Sequence, residues 1–258
     1  MINVAILGCG PAGLIAAHAI DEFDDAYVAI FSIKEKSVLP GSMYLHEGIP
    51  GINGTYPDSY VQYVRLGTAE GYAHKVYGDA ARYTAWEQYL QAYPSWNVQN
   101  VYDVLWEKYE GIILPTEFSG NLHNLHHIVA EFDVVISTLP QPLLCHGDHD
   151  FKSSPYFIHT LVAPPLDAEK DLVIYNGYEH DPWYRWSILS GICSIEYSIQ
   201  PTDFDPNDRT WKMGVKAVSN TCDCWPRVHR LGRWAKWQHG VLLHDVYKGA
   251  KEVMRVHA

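Results

Sequence analysis

Residues 4–7 (VAIL) form an unbroken apolar run, followed at once by Gly8-Cys9-Gly10-Pro11-Ala12-Gly13 and then by Leu14-Ile15-Ala16-Ala17. Such a run reads as a strand buried on both faces, and the Ala-rich continuation reads as a helix to about residue 22. Residues 26–32 (AYVAIFS) repeat the strand pattern and complete a strand-helix-strand unit of about thirty residues. A Gly/Pro-rich stretch over 39–54 then breaks all periodicity and reads as loop. Residues 60–66 alternate in a way that fits either a strand or a helix start. Helical periodicity marks 80–92, with Trp86, Tyr89 and Leu90 on one face, and 101–109, with Leu105, Trp106 and Tyr109 on one face. A short strand over 112–114, a helix over 122–130 and a buried-type strand over 132–139 (FDVVISTL) follow, the last ending at Pro140. The second half is mostly strand: 156–162, 171–175, 184–189, 191–198 and, after a polar break at 200–209, 211–218. The chain closes with residues 229–234, a turn, and a helix over about 242–255.

The glycine run between the first strand and helix carries chemistry. Gly8 allows a tight turn off the strand, Gly10 lets a pyrophosphate touch backbone, and Gly13 lets the helix pack close to the sheet. Amide N–H groups opening that helix face the phosphates along its dipole. Three glycines at this spacing recur by chance, so the specificity comes from the strand before them and the helix after them. The pattern therefore predicts a dinucleotide-binding turn rather than a plain strand-helix corner.

Composition narrows the setting. The 258 residues suffice for one large domain or a main domain with a smaller lobe, and 47% hydrophobic with 19% charged residues is ordinary for a soluble globular protein. The 9 Trp and 18 Tyr against 7 Phe suit a ligand-lined cleft or an interface, and equally a Tyr/Trp-rich core. A net charge of −11 argues against broad electrostatic binding of nucleic acid. No apolar stretch is long enough to cross a bilayer and no secretory pattern opens the chain, so a cytoplasmic protein without a membrane partner is expected. The five cysteines are an odd number at scattered positions, which fits reduced thiols.

Three segments resemble one family. Gly8-Cys9-Gly10-Pro11-Ala12-Gly13-Leu14 with Ala16-Ala17 resembles the opening of FAD enzymes of the glutathione-reductase and amine-oxidase type. Val134-Val135-Ile136-Ser137-Thr138-Leu139-Pro140 is similar to their late strand, which ends in Thr-x-Pro beside the flavin. Leu231-Gly232-Arg233-Trp234, followed by Gly240-Val241-Leu242 and a helix, is similar to their C-terminal flavin motif and to that of UDP-galactopyranose mutase. Gly41-Ser42-Met43-Tyr44-Leu45-His46 and Trp183-Tyr184-Arg185 resemble short phage and actinobacterial flavoproteins of unassigned role.

The resemblance implies an α/β fold: a Rossmann-like FAD-binding domain (1–55, 111–150 and 219–258) with a small antiparallel-sheet and helical substrate lobe (56–110 and 151–218). It implies FAD as cofactor, held by Gly8, Gly10, Pro11, Ala12, Gly13, Ser32, Lys34, Ser42, Met43, Thr138, Leu139, Pro140, Gly232, Arg233, Trp234, Gly240, Val241 and Leu242. It also implies an oxidoreductase in which a small amine- or hydroxyl-bearing substrate passes a hydride to flavin N5. Two other readings stay open: a redox-neutral mutase- or lyase-like flavoenzyme, including one acting on a modified nucleobase or nucleoside of phage DNA, and a non-catalytic flavin- or nucleotide-binding module. One departure stands out. The family carries Glu or Asp at the end of the second strand for the adenosine ribose, and here Ser32 stands there, with Lys34, Glu35 and Lys36 behind it. A lysine there also leaves room for a 2′-phosphate and NADPH.

Candidates for chemistry lie on the strands that the resemblance places over the flavin, with Trp183, Tyr184, Arg185, Glu196 and Tyr197. Arg185 suits an anionic substrate group or a structural ion pair, and Glu196 a buried base or the polar side of a strand. His46, in the Gly-rich loop, can hydrogen-bond a substrate or move a proton. Cys145-x-x-x-His149 and Cys222-x-Cys224 with His229 contain enough ligands for a metal, but the spacings miss the usual zinc pattern and no metal is expected. Cys222 and Cys224 also lack the context of a redox pair. The basic, aromatic segment 225–236 can hold the FAD pyrophosphate, with Trp234 and Trp237 stacking on rings, or single-stranded nucleic acid, which is not favoured.

Overall fold

The apolar run near the start of the chain lies at the centre of a parallel sheet. A computed structural model describes residues 1–33, 35–36, 39, 41–53, 56–78, 92–118, 122–161 and 171–257. β1 (Ile2–Leu7), α1 (Pro11–Ile20) and β2 (Ala26–Ser32) form as the pattern predicts, with β1 and β2 parallel from Ile2↔Ala26 to Leu7↔Phe31. The Gly/Pro-rich stretch is irregular except for β3 (Tyr44–Leu45). The ambiguous segment is β4 (Ser59–Gly67), followed by α2 (Ala69–Tyr77), where Thr68 Oγ1 accepts the Gly71 amide at 3.0 Å as an N-cap. β5 (Ala92–Asn97) and α3 (Val98–Tyr109) come next, and Asn97 Oδ1 caps α3 through the Gln99 amide at 2.8 Å. The helix predicted over 80–92, with Trp86, Tyr89 and Leu90, lies outside the described residues, save Ala92, which opens β5.

β6 (Ile113–Pro115), α4 (Leu122–Glu131), β7 (Val134–Ser137) and α5 (Gln141–Leu144) bring the chain to its second half. There β8 (Phe151–Leu161), β9 (Asp171–Gly177), β10 (Trp183–Leu189), β11 (Ile192–Tyr197) and β12 (Trp211–Asn220) match the strand-rich reading. β13 (Val228–Arg230), α6 (Arg233–Lys236) and α7 (Asp245–His257) close the chain.

The first sheet runs β13-β7-β1-β2-β6, with every pairing parallel. Val4 and Ile6 of β1 pack with α1, α3 and α7, while Ala5 and Leu7 pack with Leu125, Ile128, Leu144 and Val228 on the other face. Both faces are covered, which is why β1 is continuously apolar rather than alternating. α3 belongs to this layer: Val98, Val101, Tyr102 and Leu105 share a core with α1, although the sequence places 56–110 in the second lobe. The second sheet runs β12-β8-β11-β10-β9-β4-β5-β3 and is antiparallel at every pairing except β4 with β9. No helix among the described residues is long and apolar enough to cross a membrane.

Strand order in the first sheet reverses direction between β1 and β7. In open parallel sheets, a crevice forms outside the carboxyl ends of the strands at such a switch point. The β1–α1 turn and residues 138–140 border it.

Candidate functional site

At the switch point the glycines are held to different tasks. Gly8 has φ 103, a conformation open to glycine, and a Cβ there would stand 2.8 Å from Thr138 Oγ1. A Cβ on Gly13 would stand 1.9 Å from Gly8 O, so its absence lets α1 close on β1. Around Gly10, by contrast, a Cβ would meet none of the described residues within 4 Å, and Gly10 caps α1 without a side-chain hydrogen bond. The glycine that no described residue packs against is the one where a pyrophosphate would approach.

Residues from the middle and end of the chain frame this turn. Thr138 donates its hydroxyl to Leu7 O at 3.0 Å, and Leu139 lies against Gly8. Pro140 caps α5. Gly232, at φ 87, sits over the first turn of α1: a Cβ there would lie 3.4 Å from Ala12 Cβ. Gly240 also has positive φ, and the Leu242 amide donates to Asp245 Oδ2 at 3.1 Å where α7 begins. Ser32 is buried at the end of β2, and the chain beyond it folds back, Cys9 Sγ donating to Glu35 O at 3.8 Å. Lys36 is committed to Asp103 at 2.6 Å, and Lys34 lies outside the described residues.

The Gly-rich loop is tied to the second sheet. Ser42 donates its amide to Ser194 Oγ at 3.1 Å and its hydroxyl to Ile192 O at 2.8 Å. Met43 beside it is partly exposed. Ser42 O accepts from Arg185 at 3.3 Å, and a second guanidinium N–H donates to Glu196 Oε1 at 2.8 Å. Arg185 and Glu196 face each other across β10 and β11. The other Glu196 oxygen accepts from Tyr184 at 2.6 Å and from Lys216 at 3.0 Å.

Burial alone would raise the Glu196 pKa. The Lys216 and Arg185 charges and the Tyr184 hydrogen bond outweigh it and hold the carboxyl down at about 2. An ionised carboxylate with both oxygens engaged does not act as a base, so the structure gives Glu196 a positioning part in place of the proton-accepting one. Trp183 and Tyr197 are cross-strand partners outside this network.

The cations outnumber their partner. Burial, with Arg185 and Arg233, pushes the Lys216 pKa down against the attraction of Glu196. Arg233 follows Gly232 at the α1 turn, and its charge reaches Lys216 on the second sheet. The Nε atoms of Arg185 and Arg233 are buried without a hydrogen-bond partner among the described residues. Buried guanidinium N–H groups left over in this way suit an anion.

His46 is exposed, its ring 4.8 Å from that of Tyr44 and 5.9 Å from that of His244. Partial desolvation by its neighbours, then the His244 and Arg185 charges, lowers its pKa further below neutrality, so the imidazole is neutral at pH 7. His244 is itself buried, with Nδ1 unpartnered among the described residues. Tyr44 shares a hydrogen bond with Tyr63, whose ring stacks on Tyr175, the β9 residue paired with Arg185 of β10. Lys216, His244 and these tyrosines escaped the sequence reading. The tyrosine excess and a lysine inside a strand were their only signals.

Apart from Arg233, the basic segment 225–236 serves the fold through Trp225 and Arg230. Trp225 Nε1 donates to Leu144 O at 2.6 Å, and Arg230 donates to the carbonyls of Cys222 and Cys224. Trp237 is buried against Phe151 and Trp234 and donates to Lys152 O at 3.0 Å, so it is not free to stack on a ligand. Trp234 remains half-buried beside it. Cys145, His149, Cys222 and Cys224 come together, with all ligand atoms within 4.8 Å of one another, whereas His229 lies against His257. The sequence assigns no metal because its spacing does not disclose that the two segments meet.

No protein-family model and no curated protein matches the sequence. Among solved structures, the fold is similar to 2-methyl-3-hydroxypyridine-5-carboxylic acid oxygenase, with TM-score 0.56 and 10% identity over 99% of this chain and 87% of that one. It is similar to reduced UDP-galactopyranose mutase, with TM-score 0.55 and 12% identity over 99% of this chain and 96% of that one. It is also similar to a candidate FAD-containing monooxygenase from Photorhabdus luminescens subsp. laumondii TTO1, with TM-score 0.51 and 11% identity over 100% and 89%. Likenesses at such low identity show a shared fold.

Proposed function

We propose that this chain binds FAD in the crevice between the β1–α1 turn and residues 138–140, and is an FAD-dependent oxidoreductase acting on a small amine- or hydroxyl-bearing substrate. The observation that carries the reading is the free space over Gly10, bordered by Thr138 and Gly232 at a switch point of a parallel sheet. The fold shared with flavoenzymes supports the choice of FAD over another dinucleotide. When bound, FAD supplies a two-electron acceptor for a hydride leaving the substrate.

The chain's own residues bind, orient and move a proton. The opening amides of α1 receive the pyrophosphate. Ser32 offers one hydroxyl to the adenosine ribose, in place of the charged bidentate contact of a carboxylate. Arg185 and Arg233 direct their remaining N–H groups to an anionic group of cofactor or substrate, and Glu196 holds Arg185 in place. His46, neutral at pH 7, takes the proton released from the substrate amine or hydroxyl at an imidazole nitrogen.

A redox-neutral, mutase-like reaction is the second reading, favoured by the likeness that spans 96% of reduced UDP-galactopyranose mutase. Anaerobic mixing with panels of amines, alcohols, sugar nucleotides and nucleosides separates the two. Bleaching of the flavin by an amine or alcohol is the expected result. Turnover seen only after dithionite reduction supports the redox-neutral reading, and silence on every panel overturns both in favour of a binding module.

A further inference from the structure

We infer that Cys145, His149, Cys222 and Cys224 bind one Zn2+ ion in a closed, structural site. Two segments distant in sequence supply the ligands. Cys145 and His149 lie between α5 and β8, and Cys222 and Cys224 lie between β12 and β13. Each segment is a passage of the chain between the two sheets. The two passages meet only through the fold.

The geometry is that of a tetrahedral ligand set. Bonds of about 2.3 Å to sulfur and about 2.0 Å to nitrogen give tetrahedral edges of about 3.8 Å between sulfurs and about 3.5 Å from sulfur to nitrogen. Cys145 Sγ lies 3.9 Å from Cys224 Sγ, and Cys224 Sγ lies 3.4 Å from His149 Nε2. These separations are far too long for a disulfide, and all five cysteines are free thiols. Three thiolates and one imidazole form a soft S3N set, which selects zinc over magnesium or calcium. Four protein ligands also leave no position for substrate, so the site is structural.

Neighbouring groups hold the ligands in place. Gln141 Nε2 donates to Cys222 Sγ at 3.1 Å, as the outer shell of a thiolate ligand does. Arg230 clamps the Cys222 and Cys224 carbonyls, and the Cys222 amide donates to Asn220 Oδ1 at 2.8 Å. Gly147 makes room for the histidine, since a Cβ there would stand 2.6 Å from His149 Nε2. The partly buried Arg230 and the Gln141 amide offset the single net negative charge of Zn2+ with three thiolates. Binding displaces three thiol protons to solvent, so no redox partner is required.

Metal analysis of the full chain, purified without chelator, tests the inference independently of any flavin. About one zinc per chain is expected. Zinc is lost in C222S and C224S, and in Q141A its affinity falls by about tenfold to a hundredfold. Wild-type protein stripped and reloaded with Co2+ develops thiolate-to-cobalt charge transfer and tetrahedral d–d absorption. Because the serine variants can fail to fold, thiol counting on native wild type provides a second reading: Cys145, Cys222 and Cys224 react with a thiol reagent only after chelation. Wild-type protein without zinc, a cobalt form lacking the charge-transfer bands, or a disulfide within the trio would overturn the inference.

Discussion

Gly10 and Gly13 stand three residues apart, yet a methyl group at each meets opposite surroundings. At Gly10 it projects into free space, and at Gly13 it strikes Gly8 O at 1.9 Å. Gly10→Val is therefore expected to keep the thermal stability of the parent while losing bound cofactor, and Gly13→Val to lose the fold. Melting temperature and flavin per chain, measured on both variants, check the pair. Glu196 makes a second prediction at this scale. Its folded pKa of about 2 lies below its ordinary 4.5, so the stability it confers is fully present above that ordinary value and drains away as pH falls toward 2. Glu196→Gln is expected to cost about 3 kcal/mol at neutral pH, by leaving Arg185 and Lys216 unpaired, and to flatten the acid limb of the stability curve. Urea titrations across that pH range read both effects. In the sequence the glycines were legible because each answers a local need of the turn. The role of Glu196 was not, since Lys216 and Tyr184 reach it only after the sheet has formed.

Elements with a complete local signal emerged where the sequence put them. β1, α1 and β2 combine apolar runs with glycine punctuation, and β10 and β11 join through Ser190 and Gly191, both at positive φ as a two-residue hairpin requires. β5 contains Pro94 and is largely exposed, β13 spans three residues, and α2 carries Gly71 within its first turn. None of these shows a period long enough to read. The Gly-rich loop depends on Ser42 and Ser194, whose mutual hydrogen bonds fix it beneath β11. Removing both hydroxyls in S42A/S194A is expected to cost about 1 kcal/mol for each lost bond and to open the loop to protease. Limited proteolysis with mass analysis reports the cleavage site, and unaltered resistance would mean that the loop is held by other contacts.

At the scale of the whole molecule, a parallel sheet and a second, mostly antiparallel sheet meet near the β1–α1 turn, with Arg233 beside Gly232 and the Arg185–Glu196–Lys216 ion pairs on the second sheet. The three separated segments of the resemblance meet at the β1–α1 turn, but Lys216 has no counterpart in the sequence reading. The zinc ligands were visible in the sequence as a possible set and set aside on their spacing, because their convergence depends on two passages between sheets that no periodicity encodes. We place FAD in the space over Gly10, and the absorbance spectrum of the purified protein, with the chromophore released by heating, is the decisive measurement. A yellow protein that releases about one flavin per chain is predicted. A colourless protein that takes up NADPH instead would contradict that placement.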